Sequence, residues 1–487
     1  MNYLSFMFVI LVLISMLLYY LVPKKVRGII LLCSSLVFYL SYDLRYILFL
    51  MFICLTTFCT AKKLKNTNKS RSALLLCIFS NVFIWFILKL LPWTVRLINI
   101  LFSHFKFEFK IEIWNLIAPI GISYYILKAF SYIIDVYKNK IDAEKSLWKY
   151  LLYLSYFPTI VQGPISRYDD LMKELLNDKE YSFELMRNSL ILILFGLVKK
   201  VVIADRLGIF VNYTFTNYKD LVGIPLYLGA IFYSIQIYLD FSGCVDICRG
   251  VSKLFNVNLE HNFDRPYLAD SIKDFWNRWH ISLSRWLRDY IYISLGGNRK
   301  GKVRKYVNIL ITFIVSSIWH GAGFSFIFWG MLHALYEIIS DISYKIRIKF
   351  KECVGVKKGS ISDKIYKKVI TFNLVTFAWI FFRSTSFTSA FGYIKNMLNN
   401  LNLWVLFDNS LYKCGINQNY FVLLFIHLIV IFFIENKFKK QEEVIDNLTN
   451  LHIGIRWAIY FILIFDIILF GVYGTGYNLS DFMYGGF

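Results

Sequence analysis

The chain has 487 residues, 57% of them hydrophobic and only 18% charged, where ordinary globular proteins run at ~45–50% apolar and ~25% charged. That excess, with a mean hydropathy of +0.53, excludes a soluble enzyme, and 46 Phe, 34 Tyr, 12 Trp and only 7 Pro exclude a disordered chain. Fifty-four Lys and Arg against 32 Asp and Glu give +22, a surplus that reads as cytoplasmic loops facing an anionic leaflet and not as a nucleic-acid surface.

Tyr3 to Val22 carries no charge and is long enough to cross ~30 Å of hydrocarbon. No basic segment precedes it and no small-residue cleavage site follows it, so it reads as a retained first span and not a signal peptide. Lys24, Lys25 and Arg27 come next, which puts the N-terminus outside and this loop in the cytoplasm. Lys62, Lys63, Lys65, Lys69 and Arg71 mark a second cytoplasmic loop. Further apolar runs stand at about 28–42, 46–61, 72–91, 114–134, 147–163, 188–204, 221–241, 306–319, 322–340, 368–382, 419–434 and 455–474. Several are short for a full span, which implies a thinned bilayer or half-helices inside a bundle. The expectation is an all-α polytopic membrane protein with eleven to thirteen embedded helices in one domain over 1–487, its core motifs within about 115–340. The Lys-rich stretches 341–366 and 435–452 read as loops or surface helices. Cysteines at 33, 54, 59, 77, 244, 248, 353 and 414 show no disulfide or zinc spacing. Cys244 and Cys248 stand beside Asp240 and Asp246, but no His lies at a compatible spacing, and no metal is expected.

Two segments carry histidines in informative settings. In 272–290, IKDFWNRWHISLSRWLRDY, apolar residues at 272, 275, 276, 279, 283, 286, 287 and 290 keep a helical period through five turns. The pattern predicts one continuous amphipathic helix at the membrane surface, with Arg278, Arg285 and Arg288 opposite the apolar stripe and His280 on its flank. The basic face is explained equally by solvation at the membrane surface. Gly296-Gly297-Asn298 form a turn, and the cations from Arg299 to Lys305 place this end in the cytoplasm. The second segment, 306–336, has no formal charge. As one straight helix it would run ~46 Å, so a break is expected at His320-Gly321-Ala322-Gly323. His320 then lies near mid-depth, where a polar side chain is a functional candidate, or else a neutral histidine satisfied by a neighbouring helix. For His333 packing or hydrogen bonding is the expectation. His104, His261, His427 and His452 show no local signal.

The blocks DFWNRWHISLSRWLRDYIYISLGGNRKGKVR (274–304) and SSIWHGAGFSFIFWGMLHALYE (316–337) resemble the membrane-bound O-acyltransferase family, and within it the bacterial alginate O-acetyltransferase branch. APIGISYYILKAFSYIIDVYK (118–138), FPTIVQGPISRYDDL (157–171), FGLVKKVVIADRL (195–207), YLDFSGCVDICRG (238–250) and EHNFDRPY (260–267) are similar to that branch's blocks in its order, and GVYGTGYNLSDFMYGGF to its C-terminus. Lys128, Cys244 and Cys248 depart from the usual pattern. The resemblance implies a ring of helices around a thinned catalytic centre, with a cytoplasmic pocket and an outer funnel meeting near the histidine. It implies that His320 is the essential histidine and His280 the second one. It also implies a separate extracytoplasmic esterase-like acetyltransferase as partner and an exported polysaccharide as acceptor. The branch that D-alanylates teichoic acids shares the FW-RWH and WHG blocks but lacks the LGGNR block present at 295–299.

The expected reaction moves an acyl group, most simply acetyl, from acetyl-coenzyme A or another acyl thioester to a hydroxyl, with burial keeping water from hydrolysing the thioester. No bound cofactor is expected. A hydroxyl is a poor nucleophile at neutral pH and needs a positioned base. Imidazole, with an unperturbed pKa of ~6.5, suits that role, and such assistance contributes ~10²–10⁴-fold. His320 is assigned as the base and His280 as the group that positions the thioester or polarises its carbonyl. An acyl-imidazole on His320 is the rival mechanism. Trp279, Arg278, Arg285 and Asn298 are candidates for donor binding, the cations through coenzyme A phosphates or else through topology alone. Asp240, Ser242 and Asp246 are candidates for orienting the histidine, and Asn262 and Arg265 for shaping the donor pocket. The alternatives are D-alanyl transfer from a carrier protein to teichoic acid and, from another class, a transporter or channel, against which no internal repeat is found.

Overall fold

A computed structural model of the chain describes residues 1–66, 70–107, 109–112, 118–177, 180–357, 359–438 and 441–473. Lys69, the start of the apolar run 114–134 and the terminal block from residue 474 onward lie outside them. Every regular element among the described residues is helical. The chain divides into two compact units: Met1–Ile193 with Cys244–Glu260, and Leu194–Gly243 with the described residues 261–473.

The first unit holds α1 (Phe6–Leu21), α2 (Arg27–Leu40), α3 (Tyr46–Asn66), α4 (Arg71–Lys89), α5 (Leu91–His104), α6 (Ile122–Tyr137), α7 (Leu147–Ser155), α8 (Tyr168–Leu175) and most of α9 (Phe183–Leu197). Ser5 starts α1 by accepting from the Phe8 amide at 3.2 Å. Phe8, Val12, Ser15 and Tyr19 form its buried stripe, while Phe6, Leu13, Leu17 and Leu21 are exposed. A face of that kind fits lipid, not water. The Ser15 and Ser34 hydroxyls, 2.7 Å apart, tie α1 to α2. The run 72–91 ends earlier than its hydropathy suggests, because Pro92 in the first turn of α5 starts a new helix. Lys128, buried on α6, donates to the Tyr153 carbonyl at 3.2 Å and the Thr159 hydroxyl at 2.8 Å. Two neutral acceptors thus accommodate the amine by which this chain departs from its family's block.

The second unit continues from α9 through a π-helical stretch, Val198–Ala204, into α10 (Asp205–Thr216). α11 (Ile224–Leu254) begins here and runs on into the first unit. Asp240, inside the apolar run 221–241, pairs with Lys200, and Asp246, on the part of the helix beyond that run, lies 3.8 Å from Arg249. Then follow α12 (Ile272–Arg278), α13 (Ile281–Leu287), a π-helical turn Arg288–Tyr292, α14 (Gly301–His320), α15 (Phe324–Ile342), α16 (Tyr344–Cys353), α17 (Ile361–Arg383), α18 (Phe387–Leu398), α19 (Gln418–Lys437), α20 (Gln441–Thr449) and α21 (Ile453–Phe470).

Among the described residues six helices are long and apolar enough to cross a membrane: α3, α4, α11, α17, α19 and α21. The wider expectation of eleven to thirteen embedded helices counts shorter pieces, such as α1, and the two arms of the 306–336 segment. That segment breaks where the glycines stand, between α14 and α15. A Cβ on Gly330 would lie 1.9 Å from the Ser317 hydroxyl and 2.7 Å from the Phe313 carbonyl, so the two arms pack at closest approach there. α15 meets α17 through Trp329 stacked on Trp379, centroids 5.6 Å apart at 18°.

Candidate active site

The predicted helix 272–290 is not continuous. Trp279 is extended (φ −102°, ψ 129°) and His280 is left-handed (φ 42°, ψ 56°), so the chain turns a corner between α12 and α13. A non-glycine residue in that region costs on the order of 1–3 kcal/mol and persists only where its surroundings impose it. Here the loop before α12 imposes it. The Asp264 amide donates to the Arg278 carbonyl at 2.9 Å, and the Ile281 amide to the Asn262 carbonyl at 2.9 Å. The Asn262 side-chain oxygen accepts from the Ser282 amide and hydroxyl, both at 2.9 Å, and lies 3.3 Å from His280 Nδ1. The apolar positions read from periodicity are nevertheless the buried ones, Trp276 excepted, which is half-buried. His280 thus sits at a buried corner, 1% exposed, instead of on the flank of a stripe.

His320 ends α14 and is 2% exposed. Its ring lies edge-on to Trp319 (4.7 Å), Trp329 (5.2 Å) and Phe382 (5.5 Å). Trp319 also reaches the His280 ring at 6.1 Å, and Phe241 of α11 closes the other side of His280 at 4.8 Å. The two candidate histidine rings therefore both lie against the half-buried Trp319 indole, among buried aromatic side chains. His333 packs as expected: it accepts from Trp276 Nε1 at 3.3 Å and lies parallel to Phe275 and Phe313.

The other candidates are more dispersed. Trp279 is buried in an aromatic cluster with Phe275, Phe263 and Trp379, at 5.5, 5.1 and 5.2 Å. Asp240 forms an ion pair with Lys200, whose ammonium also lies 2.6 Å from Asp205. A Cβ on Gly243 would lie 2.7 Å from the Gly196 carbonyl, so α11 rests directly on the turn that delivers Lys200. Ser242 is buried beside Phe241. Asp246 belongs to the other compact unit, with Arg249. Arg278 bonds Asp274 at 3.0 Å on its own helix. Arg265 is left-handed (φ 45°) and bonds Asp264 at 3.0 Å. Arg285 and Asn298 are exposed.

The sequence reading passed over Asn308, fully buried on α14. Its amide donates to the Gly297 carbonyl at 2.8 Å and anchors the glycine turn. It also passed over Phe241, Trp329 and Phe382, whose types carry no chemical signal in a chain so rich in aromatics.

A helical membrane protein that buries two histidines among aromatic rings, one at the corner between α12 and α13 and one at the end of α14, fits the class of membrane-embedded group-transfer enzymes. The chain belongs to the MBOAT, membrane-bound O-acyltransferase family, whose profile matches residues 31–352; it is an acyltransferase and is embedded in a membrane. It is 30% identical over 429 residues to the probable alginate O-acetylase AlgI of Pseudomonas aeruginosa, covering 87% of this chain and 79% of that protein. It is 33% identical over 403 residues to the peptidoglycan O-acetyltransferase of Helicobacter pylori, covering 76% and 74%. With the teichoic acid D-alanyltransferase of Bacillus subtilis it shares 28% identity over 284 residues, covering 56% and 70%.

Proposed function

We propose that this protein takes an acetyl group from a cytoplasmic thioester, acetyl-coenzyme A or a carrier-bound acyl group, and passes it across the membrane toward hydroxyls of an exported polysaccharide. In this reading it sits in the cell membrane with its N-terminus outside and works with a separate extracytoplasmic esterase-like acetyltransferase. The observation that carries the proposal is the convergence of His280 and His320 on Trp319, in a chain about one third identical to alginate and peptidoglycan O-acetyltransferases. The D-alanyl alternative draws on a lower identity over a smaller share of the chain.

In the proposed step the acceptor oxygen attacks the thioester carbonyl carbon; a C–O bond forms and the C–S bond breaks. His320 takes the hydroxyl proton and returns it to the departing thiolate, so no net proton is released. His280 positions the thioester. The buried aromatic walls keep water from competing for the thioester. Exposed Arg285 and the cations after Asn298 stand ready to meet donor phosphates, being fixed positive charges with several N–H donors.

His320→Ala in inserted protein should lower acetylation of the surface polymer by about 10²–10⁴-fold, the usual worth of a positioned base. Acetyl content of the isolated polymer measures it, with membrane abundance as control. Full acetylation in that variant refutes the base assignment. Trapping a covalent acyl-enzyme after quenching with donor alone would replace direct transfer by an acyl-imidazole.

A further inference from the structure

The geometry points to Asn262 as a positioning residue that fixes the tautomer of His280, holding the proton on Nδ1 and leaving Nε2 as the lone-pair nitrogen of the neutral ring. The orientation of the Asn262 amide is set independently of the histidine. The Ser282 backbone N–H can only donate, and it points at the Asn262 side chain at 2.9 Å. The atom facing it is therefore the carbonyl oxygen, since the amide NH₂ there would oppose donor to donor. That same oxygen lies 3.3 Å from His280 Nδ1. An oxygen that can only accept requires Nδ1 to carry the hydrogen, and a neutral imidazole has just one N–H.

The backbone supports the arrangement. The Asn262 carbonyl holds the Ile281 amide, and Asp264 holds the Arg278 carbonyl, both at 2.9 Å, on the two sides of the left-handed His280. Asn262 is 1% exposed, so water does not compete for its oxygen. The loop thus imposes the corner, and Asn262 within it the ring orientation and the tautomer. The chemical consequence is that His280 offers a basic Nε2 and not an N–H. Toward a thioester it would then accept a proton or meet an N–H of the donor. It would not hydrogen-bond the carbonyl oxygen unless it was first protonated. This consequence rests on the proposed role of His280 in acyl transfer; the tautomer assignment does not.

The test is the nitrogen NMR spectrum of the full-length protein in lipid nanodiscs, with ¹⁵N-labelled histidine. His280 is assigned from the signals missing in His280→Asn, a residue that tolerates left-handed backbone. The expected result is an Nδ1–H, Nε2-unprotonated pattern in the parent protein. It should be retained in Asn262→Asp, whose carboxylate accepts the same bonds, and lost in Asn262→Leu. Activity should follow, falling in Asn262→Leu and recovering in Asn262→Asp. An Nε2–H pattern with Nδ1 unprotonated in the parent or in Asn262→Asp, or an unchanged Nδ1–H pattern in Asn262→Leu, overturns the proposal. Undiminished acetylation by His280→Asn would instead overturn the role of His280 in transfer and leave the tautomer result standing.

Discussion

Lys200 is buried between two carboxylates, its side chain 3% exposed against 2% for Asp240. Such a trio is held by mutual attraction at the cost of desolvating every member. Removing the cation alone strands buried negative charge, which typically costs about 3–5 kcal/mol. Lys200→Met should therefore lower the thermal midpoint of detergent-solubilised protein sharply. Lys200→Met with Asp240→Leu should recover much of the loss, since a well-packed apolar pair of similar volume is often no worse than the ion pair. Equal loss in the single and double variants would mean that the charges do not interact. At this scale the sequence was a good guide to which residues matter and a poor one to their partners. Asp240 stood out as a charge in an apolar run, but its partner is forty residues away, on the turn after α9.

Gly330 packs tightly over Ser317 and the Phe313 carbonyl, with no room for a Cβ between α14 and α15. Any side chain there must push the arms apart, and with them His320 and Trp329. Gly330→Ala should cost about 1–3 kcal/mol by overpacking and lower acyl transfer along with stability. Ser317→Gly in the same chain should restore part of both, because the Phe313 carbonyl still lies 2.7 Å from the new Cβ. Melting curves and acetyl content of the parent and the two variants decide it, and a Gly330→Ala protein with parental stability would refute the close packing. The break at 321–323 could be read from the sequence because it is local: two glycines in an overlong uncharged run. The break at His280 could not. Periodicity reports which side chains are buried, and α12 and α13 bury the residues it picks out, but it is blind to one reversed backbone pair imposed by a distant loop.

Across the molecule, α19 and α21 turn mostly apolar surface outward; only Phe421 and Leu424 of α19 are buried, and no residue of α21. Two polar residues join them, His427 Nε2 lying 3.0 Å from both Asp466 carboxylate oxygens while Nδ1 meets the Leu423 carbonyl at 2.8 Å. An interhelical hydrogen bond inside a membrane is worth about 0.6–2 kcal/mol. His427→Leu should lower the melting midpoint by a few degrees, with His427→Leu/Asp466→Leu more stable than His427→Leu alone; no change in either variant would show that the pair tethers nothing. Hydropathy and charge determined by themselves that this chain is a helical membrane protein, and the resemblance of its motif blocks to a known family marked it as an acyltransferase, because hydropathy and local blocks are properties of the linear chain. What only the tertiary structure decided is which residues meet: His280 with Asn262, Asp240 with Lys200, His427 with Asp466. Those partners are 18 to 40 residues apart, and only the packing of separate helices brings them within hydrogen-bond reach.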